Sequence, residues 1–89
     1  MVNNFILKEF GNRIRYLRNQ RKLSQEKLSF LTGFHRTYIG MIERGERNIS
    51  LTNILVFAKA FDMNVSTLLD FKDQNPNLTF MDYQFKTEN

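Results

Sequence analysis

Eighty-nine residues, 42% of them hydrophobic, suffice for one domain with a modest core, small enough that a partner subunit would add to its stability. No cysteine is present, which excludes disulfides and thiolate chemistry and fits a reducing compartment. The net charge of +4 is uneven: residues 1–47 hold ten Lys or Arg against four Glu, a balance of +6, and residues 48–89 hold three against five acidic residues, a balance of −2.

A basic first half points to a polyanionic partner, whether DNA, RNA or an anionic membrane, or is a solvated charged face; charge alone does not separate these. No run of about eighteen apolar residues occurs, and the opening MVNNFILKEF lacks a basic region, a long apolar stretch and a small-residue cleavage site. A soluble, unexported, cytoplasmic chain is therefore expected. An enzyme is not: one histidine, no cysteine and nine scattered carboxylates supply no HExxH, no phosphate loop and no nucleophile with its base. Neither a metal site nor a cofactor is expected.

In chain order, Ile6, Phe10, Ile14 and Leu17 recur every three or four places and predict helix 1 over residues 4–20. Lys8, Arg13, Arg15 and Arg21 are read as its opposite face, either solvated or close to a phosphate backbone. Leu23 is a core residue, and Ser24 is an N-cap for helix 2 over residues 25–32. Lys27 stands where Glu or Gln would complete a capping box, while Glu26 suits the positive end of the helix dipole. Gly33 and Phe34 form a turn, and helix 3 follows over residues 36–44, ended by Gly45. Leu28, Ile39 and Ile42 bury between two helices that the small Ser29 allows to cross closely. Gly40, inside helix 3, costs about 1 kcal/mol relative to alanine. Two readings of it stay open: it faces a DNA groove that approaches the backbone, or it faces the core at a tight crossing.

GERNIS is a polar loop whose Ser50 caps helix 4, in which Leu51, Ile54, Leu55, Ala58 and Phe61 share one face. Val56 and Phe57 fall outside that stripe, as a second buried surface or as an exposed pair. Asp62 tolerates a left-handed cap better than most residues, and Asn64 caps a short helix 5 reaching Leu69. After Asp70 the turn-rich FKDQNPN, with the only proline, marks the end of a compact domain placed at residues 1–71. Residues 72–89 are an appendage that packs on the domain or on a dimer partner, or else a frayed tail. Leu78, Phe80, Tyr83 and Phe85 partly suit a strand, whereas Leu78, Met81 and Phe85 suit a helix turn. The expected fold class is all-α, five helices with a helix-turn-helix at helices 2 and 3.

Residues 10–69, through LSQEKLSFLTG, YIGMIERGERNISL and AKAFDMNVSTLL together, resemble the helix-turn-helix family typified by phage repressors. That family includes xenobiotic-response-element-type regulators and restriction-modification controller proteins, and the run HRTYI resembles the controller proteins in particular. Asp62 stands where the family commonly has glycine. The resemblance implies a repressor-like DNA-binding domain whose helix 3 enters the major groove while helix 2 lies across the backbone. Two subunits would set their recognition helices about 34 Å apart on a near-palindromic operator.

By the same resemblance Gln25 contacts a phosphate and supplies affinity, while Arg36 and Thr37 read base edges. An arginine there can bond guanine O6 and N7 together, and a threonine methyl suits thymine. Tyr38 offers its hydroxyl to a phosphate or its ring to a sugar or thymine methyl, or packs within the domain. His35 caps the helix or touches phosphate, and Arg47 and Asn48 anchor the flank on the backbone. Arg18 pairs with Glu43 to fix the fold rather than to read DNA. Val65, Leu68 and Phe71 are assigned to dimerisation. The implied function is a sequence-specific transcriptional regulator that binds double-stranded operator DNA as a homodimer, with RNA polymerase or a toxin as a further protein partner. The alternative is an antitoxin whose tail clasps a toxin while its helix-turn-helix represses the operon.

Overall fold

The computed structural model describes residues 4–77, so the strand-or-turn alternatives for residues 78–85 lie outside the described residues. Five helices follow one another: α1 (Asn4–Gln20), α2 (Gln25–Thr32), α3 (Arg36–Glu43), α4 (Leu51–Ala60) and α5 (Val65–Leu68). A single 3-10 turn, Phe71–Asp73, closes the described chain. Among the described residues there is no strand, and no helix is long and apolar enough to cross a membrane.

Short helices are marginal alone, so their ends must be satisfied locally and their faces buried mutually. Ser24 Oγ accepts from the Lys27 amide at 3.0 Å, Ser50 Oγ from Asn53 at 3.2 Å, and Asn64 Oδ1 from Thr67 at 2.8 Å. Gly33 ends α2 with φ +81° and Gly45 follows α3 with φ +73°, conformations that cost a residue with a Cβ. Lys22 and Asp62 adopt the same left-handed region at φ 56° and 57° without being glycine. Between α2 and α3, Ser29 Oγ donates to the Phe34 carbonyl at 2.6 Å, and Thr32 Oγ1 accepts from the Phe34 amide at 3.1 Å. Ser29 is thus a tie across the turn as well as a small residue.

The core joins Phe10, Ile14 and Leu17 of α1 to Leu28, Ile39, Ile42, Phe57, Ala58, Phe61, Leu68 and Phe71. α3 packs on α1 and α2, α4 on α2 and α5, and the 3-10 turn returns to α1. At Gly11 the α1 backbone passes so close to the end of α3 that a Cβ would sit 2.6 Å from the Glu43 carbonyl oxygen and also strike that of Ile42. The close approach of α1 to the end of α3 is therefore permitted by Gly11.

Three expectations are corrected. Arg13 is not on a solvated face: only 1% of it is exposed. Its Nε donates to the Leu68 carbonyl at 2.8 Å and its Nη2 to that of Thr67 at 2.6 Å, while Nη1 reaches Asp73 Oδ2 at 2.9 Å and Gln74 Oε1 at 3.0 Å. A buried guanidinium is tolerable only with such partners, and here it caps the end of α5. Residues 10, 13, 14 and 17 lie at helical i, i+3, i+4 and i+7 spacing, so position 13 faces inward by periodicity alone. Arg21, of the same expected face, is exposed as that reading had it, although it also donates to the Phe61 carbonyl at 3.1 Å and lies 5.0 Å from the centre of the Phe61 ring.

The second correction is the inward stripe of α4. Phe57 is fully buried, edge-on to Phe10 at 6.2 Å and tilted against Phe34 at 5.2 Å, whereas Leu51 is 75% and Leu55 47% exposed. The helix is turned by about one residue from the expected face: 54, 57, 58 and 61 point inward. Both faces are apolar, and the one carrying an aromatic ring has more area to bury.

The third concerns dimerisation, because Leu68 is 0% and Phe71 7% exposed within the single chain. Both residues serve the protomer's own core, which leaves only Val65 of that trio partly uncovered.

Candidate nucleic-acid interface

α3 has two faces. Ile39, Ile42 and Glu43 point inward, and Arg36 and Thr37 stand exposed at its start. A polar side chain among the inward residues requires a reason, and Glu43 supplies one: its buried carboxylate is met from both α1 and α2. Arg18 of α1 grips it in two-pronged fashion, Nε to Oε2 at 2.7 Å and Nη2 to Oε1 at 3.1 Å, and Arg15 Nε approaches to 3.5 Å. From the first turn of α2, Gln25 Nε2 donates to Oε1 at 3.1 Å. Arg18 Nη1 also donates to the Leu23 carbonyl at 2.8 Å, tying in the loop before α2. Such a node fixes the relative placement of three helices more surely than it adds net stability.

Gln25, His35, Arg36, Thr37, Gly40 and Arg44 line one open concavity. His35 Nδ1 accepts from the Thr37 amide at 3.0 Å, so the imidazole caps α3 and leaves Nε2 for the outside. Gly40 also belongs to this side: a Cβ there would lie 3.1 Å from Arg44 Nη1 and 3.8 Å from Gln25 Oε1, with no core atom nearer. Gly40 is buried, but beneath the Arg44 and Gln25 side chains rather than at a helix crossing. Arg36, Arg44 and the amino-terminal ends of α2 and α3 make the concavity attractive to an anion.

Arg44 joins the concavity beyond the residues that the family resemblance implies, and the signal for it is local: residues 36, 40 and 44 at i, i+4 and i+8 share a helix face. Its Nε donates to Glu46 Oε2 at 3.0 Å and its Nη2 to Glu46 Oε1 at 3.2 Å. Those hydrogen bonds and the opposite charge hold the Glu46 carboxyl below the usual carboxylate range and raise the Arg44 guanidinium above its ordinary value. Tyr38 is half-buried, its ring edge-on to Phe34 at 5.0 Å and its oxygen accepting from Asn53 Nδ2 at 3.1 Å. The ring packs within the domain, and the hydroxyl proton is left to donate. Arg47 lies with its guanidinium carbon 5.5 Å from the centre of that ring, and both Arg47 and Asn48 are exposed beyond α3.

A helix-turn-helix family model matches residues 14–68. Control protein C.BamHI of Bacillus amyloliquefaciens is 49% identical over 72 residues, 80% of this chain and 88% of that protein. The chain belongs to the helix-turn-helix controller proteins. The crystal structure of the restriction-modification controller protein C.AhdI from Aeromonas hydrophila superposes with a TM-score of 0.68 at 51% identity, over 71% of this chain and 96% of that one. The controller protein C.Esp1396I, solved as a tetramer with its natural 35 base-pair operator, superposes at 0.71 with 24% identity, over 79% of this chain and 92% of that one, a likeness of fold.

In this controller protein the matched segment contains α2 to α5 whole, and with them every residue of the concavity and of the Glu43 node. Arg13, Asp73 and Gln74 lie outside it on either side. Arg13 of α1 is thus joined to Asp73 and Gln74 by contacts whose two sides both lie outside the matched segment.

Proposed function

We propose that this controller protein is a transcriptional regulator that binds double-stranded DNA in a sequence-specific manner as a homodimer on a near-palindromic operator. The observation that carries the proposal is the outward face of α3, where Arg36 and Thr37 stand free beside Gln25 while Glu43 locks the helix from behind. A reading helix must be exposed yet rigid, because base-edge hydrogen bonds tolerate little misplacement. Arg36 and Thr37 read bases; Gln25 and His35 sit at helix starts, where phosphate is favoured, and Arg47 and Asn48 hold the flanking backbone. Tyr38 contributes its hydroxyl proton to a phosphate rather than its ring to a base.

Leu51 and Leu55, one turn apart on α4, and Leu69 supply exposed apolar area for a second copy. Cytoplasmic placement follows from work on a genome. Selection from random duplexes at low salt tests the whole reading, with enrichment of a two-fold related pair of half-sites expected. Recovery of no preferred sequence would refute it.

A further inference from the structure

Among the charged groups of the concavity one has its partner already. Arg44 carries its guanidinium over Gly40, and Glu46, two residues on, occupies Nε and Nη2 with one oxygen each, at 3.0 and 3.2 Å. Those two N–H groups form the edge through which an arginine binds a phosphate in two-pronged fashion. The pair is on the surface, the side chains being 52% and 50% exposed, so it can exchange partners. Glu43 is sealed beneath the motif by Arg18, which leaves Glu46 as the carboxylate held beside the concavity's cations.

We propose that Glu46 is an intramolecular competitor for DNA phosphate at Arg44, so that Arg44 is a phosphate contact held partly neutralised until DNA displaces the carboxylate. The inference rests on the DNA-binding reading above. Its logic is one of ion exchange. When a lone arginine meets a phosphate, a condensed counterion is released, and binding weakens with salt accordingly. When Arg44 leaves Glu46 for a phosphate, the freed carboxylate takes up a cation, and the two changes offset. In the wild-type chain Arg44 therefore adds contact but almost no salt dependence. The carboxylate tunes affinity for every sequence alike, because a phosphate carries no base information. Gly40 leaves room for the pair: a Cβ there would lie 3.1 Å from Nη1, and the guanidinium would have to give by a few tenths of an ångström.

The test is a double-mutant cycle on the full chain. Salt-dependent DNA affinity is measured for wild type, E46Q, R44A and R44A/E46Q, each on the best duplex from selection and on an unrelated duplex of equal length. E46Q is expected to bind both duplexes about two- to fivefold more tightly, with a log-log salt slope steeper by about 0.9. R44A should leave the slope close to that of wild type and should abolish most of the E46Q gain. Thermal unfolding midpoints should fall only slightly, as for any exposed ion pair, and every variant should stay folded at the temperature of the binding measurement, which separates the effect from folding. Unchanged or weaker binding by E46Q overturns the proposal, as does an equal gain with and without Arg44, which would make Glu46 a general repulsive charge. A wild-type chain that binds neither duplex overturns the DNA reading itself, and this inference with it.

Discussion

Arg36, at the start of α3, and Glu46, just beyond its end, carry the two roles proposed above, one selecting and one setting strength. Arg36→Ala should lower affinity for the best site by about 1–3 kcal/mol and flatten the base preference at one position of each half-site, read by repeating the selection with the variant. Gln25→Ala should instead weaken good and poor sites alike. Glu46 can be followed directly by its side-chain titration in NMR. Its carboxyl is held low chiefly by hydrogen bonds from Arg44, with desolvation opposing the shift and Arg44's charge adding the smallest share to it. A lowered carboxyl favours the folded form above the unfolded pKa and loses that advantage as pH falls through the folded value. Arg44→Ala should therefore move the Glu46 midpoint upward toward the ordinary carboxylate range. An unmoved midpoint would show that the pair does not persist in solution.

At the scale of elements, the most consequential side chain is one that helical periodicity could have flagged and residue type concealed. Arg13 sits within the inward stripe of α1 and holds the end of α5 and the 3-10 turn through four hydrogen bonds. Arg13→Met keeps the apolar stem but strands the Thr67 and Leu68 carbonyls, and should cost about 2–4 kcal/mol of unfolding free energy in urea. A smaller loss would mean that water reaches those carbonyls once the guanidinium is gone. The α4 correction is of the same kind. Leu51 and Leu55 or Phe57 could each have led the buried face, and only the space left between Phe10 and Phe34 decides for the ring.

At the scale of the molecule, the face that α4 turns outward becomes the feature to test for association. Leu55→Asp adds a charge where the single chain has half-exposed apolar area and no structural need for it. The fold should survive, by circular dichroism, while sedimentation shows weaker self-association and DNA binding loses its preference for paired half-sites. A variant that sediments as wild type would move the homodimer contact elsewhere.

What the sequence determined by itself was local. Helix periodicity, the caps at Ser24, Ser50 and Asn64, the glycine turns and the motif spacing place all five helices, because each signal is read within a few residues of where it acts. Only the tertiary structure decided which apolar face of α4 is inside, which groups pair with Arg13, and that Leu68 and Phe71 serve one chain's core. Each of those depends on groups far apart in sequence, Arg13 with Asp73 or Phe10 with Phe57, whose meeting is set by packing and by the need to pair every buried charge.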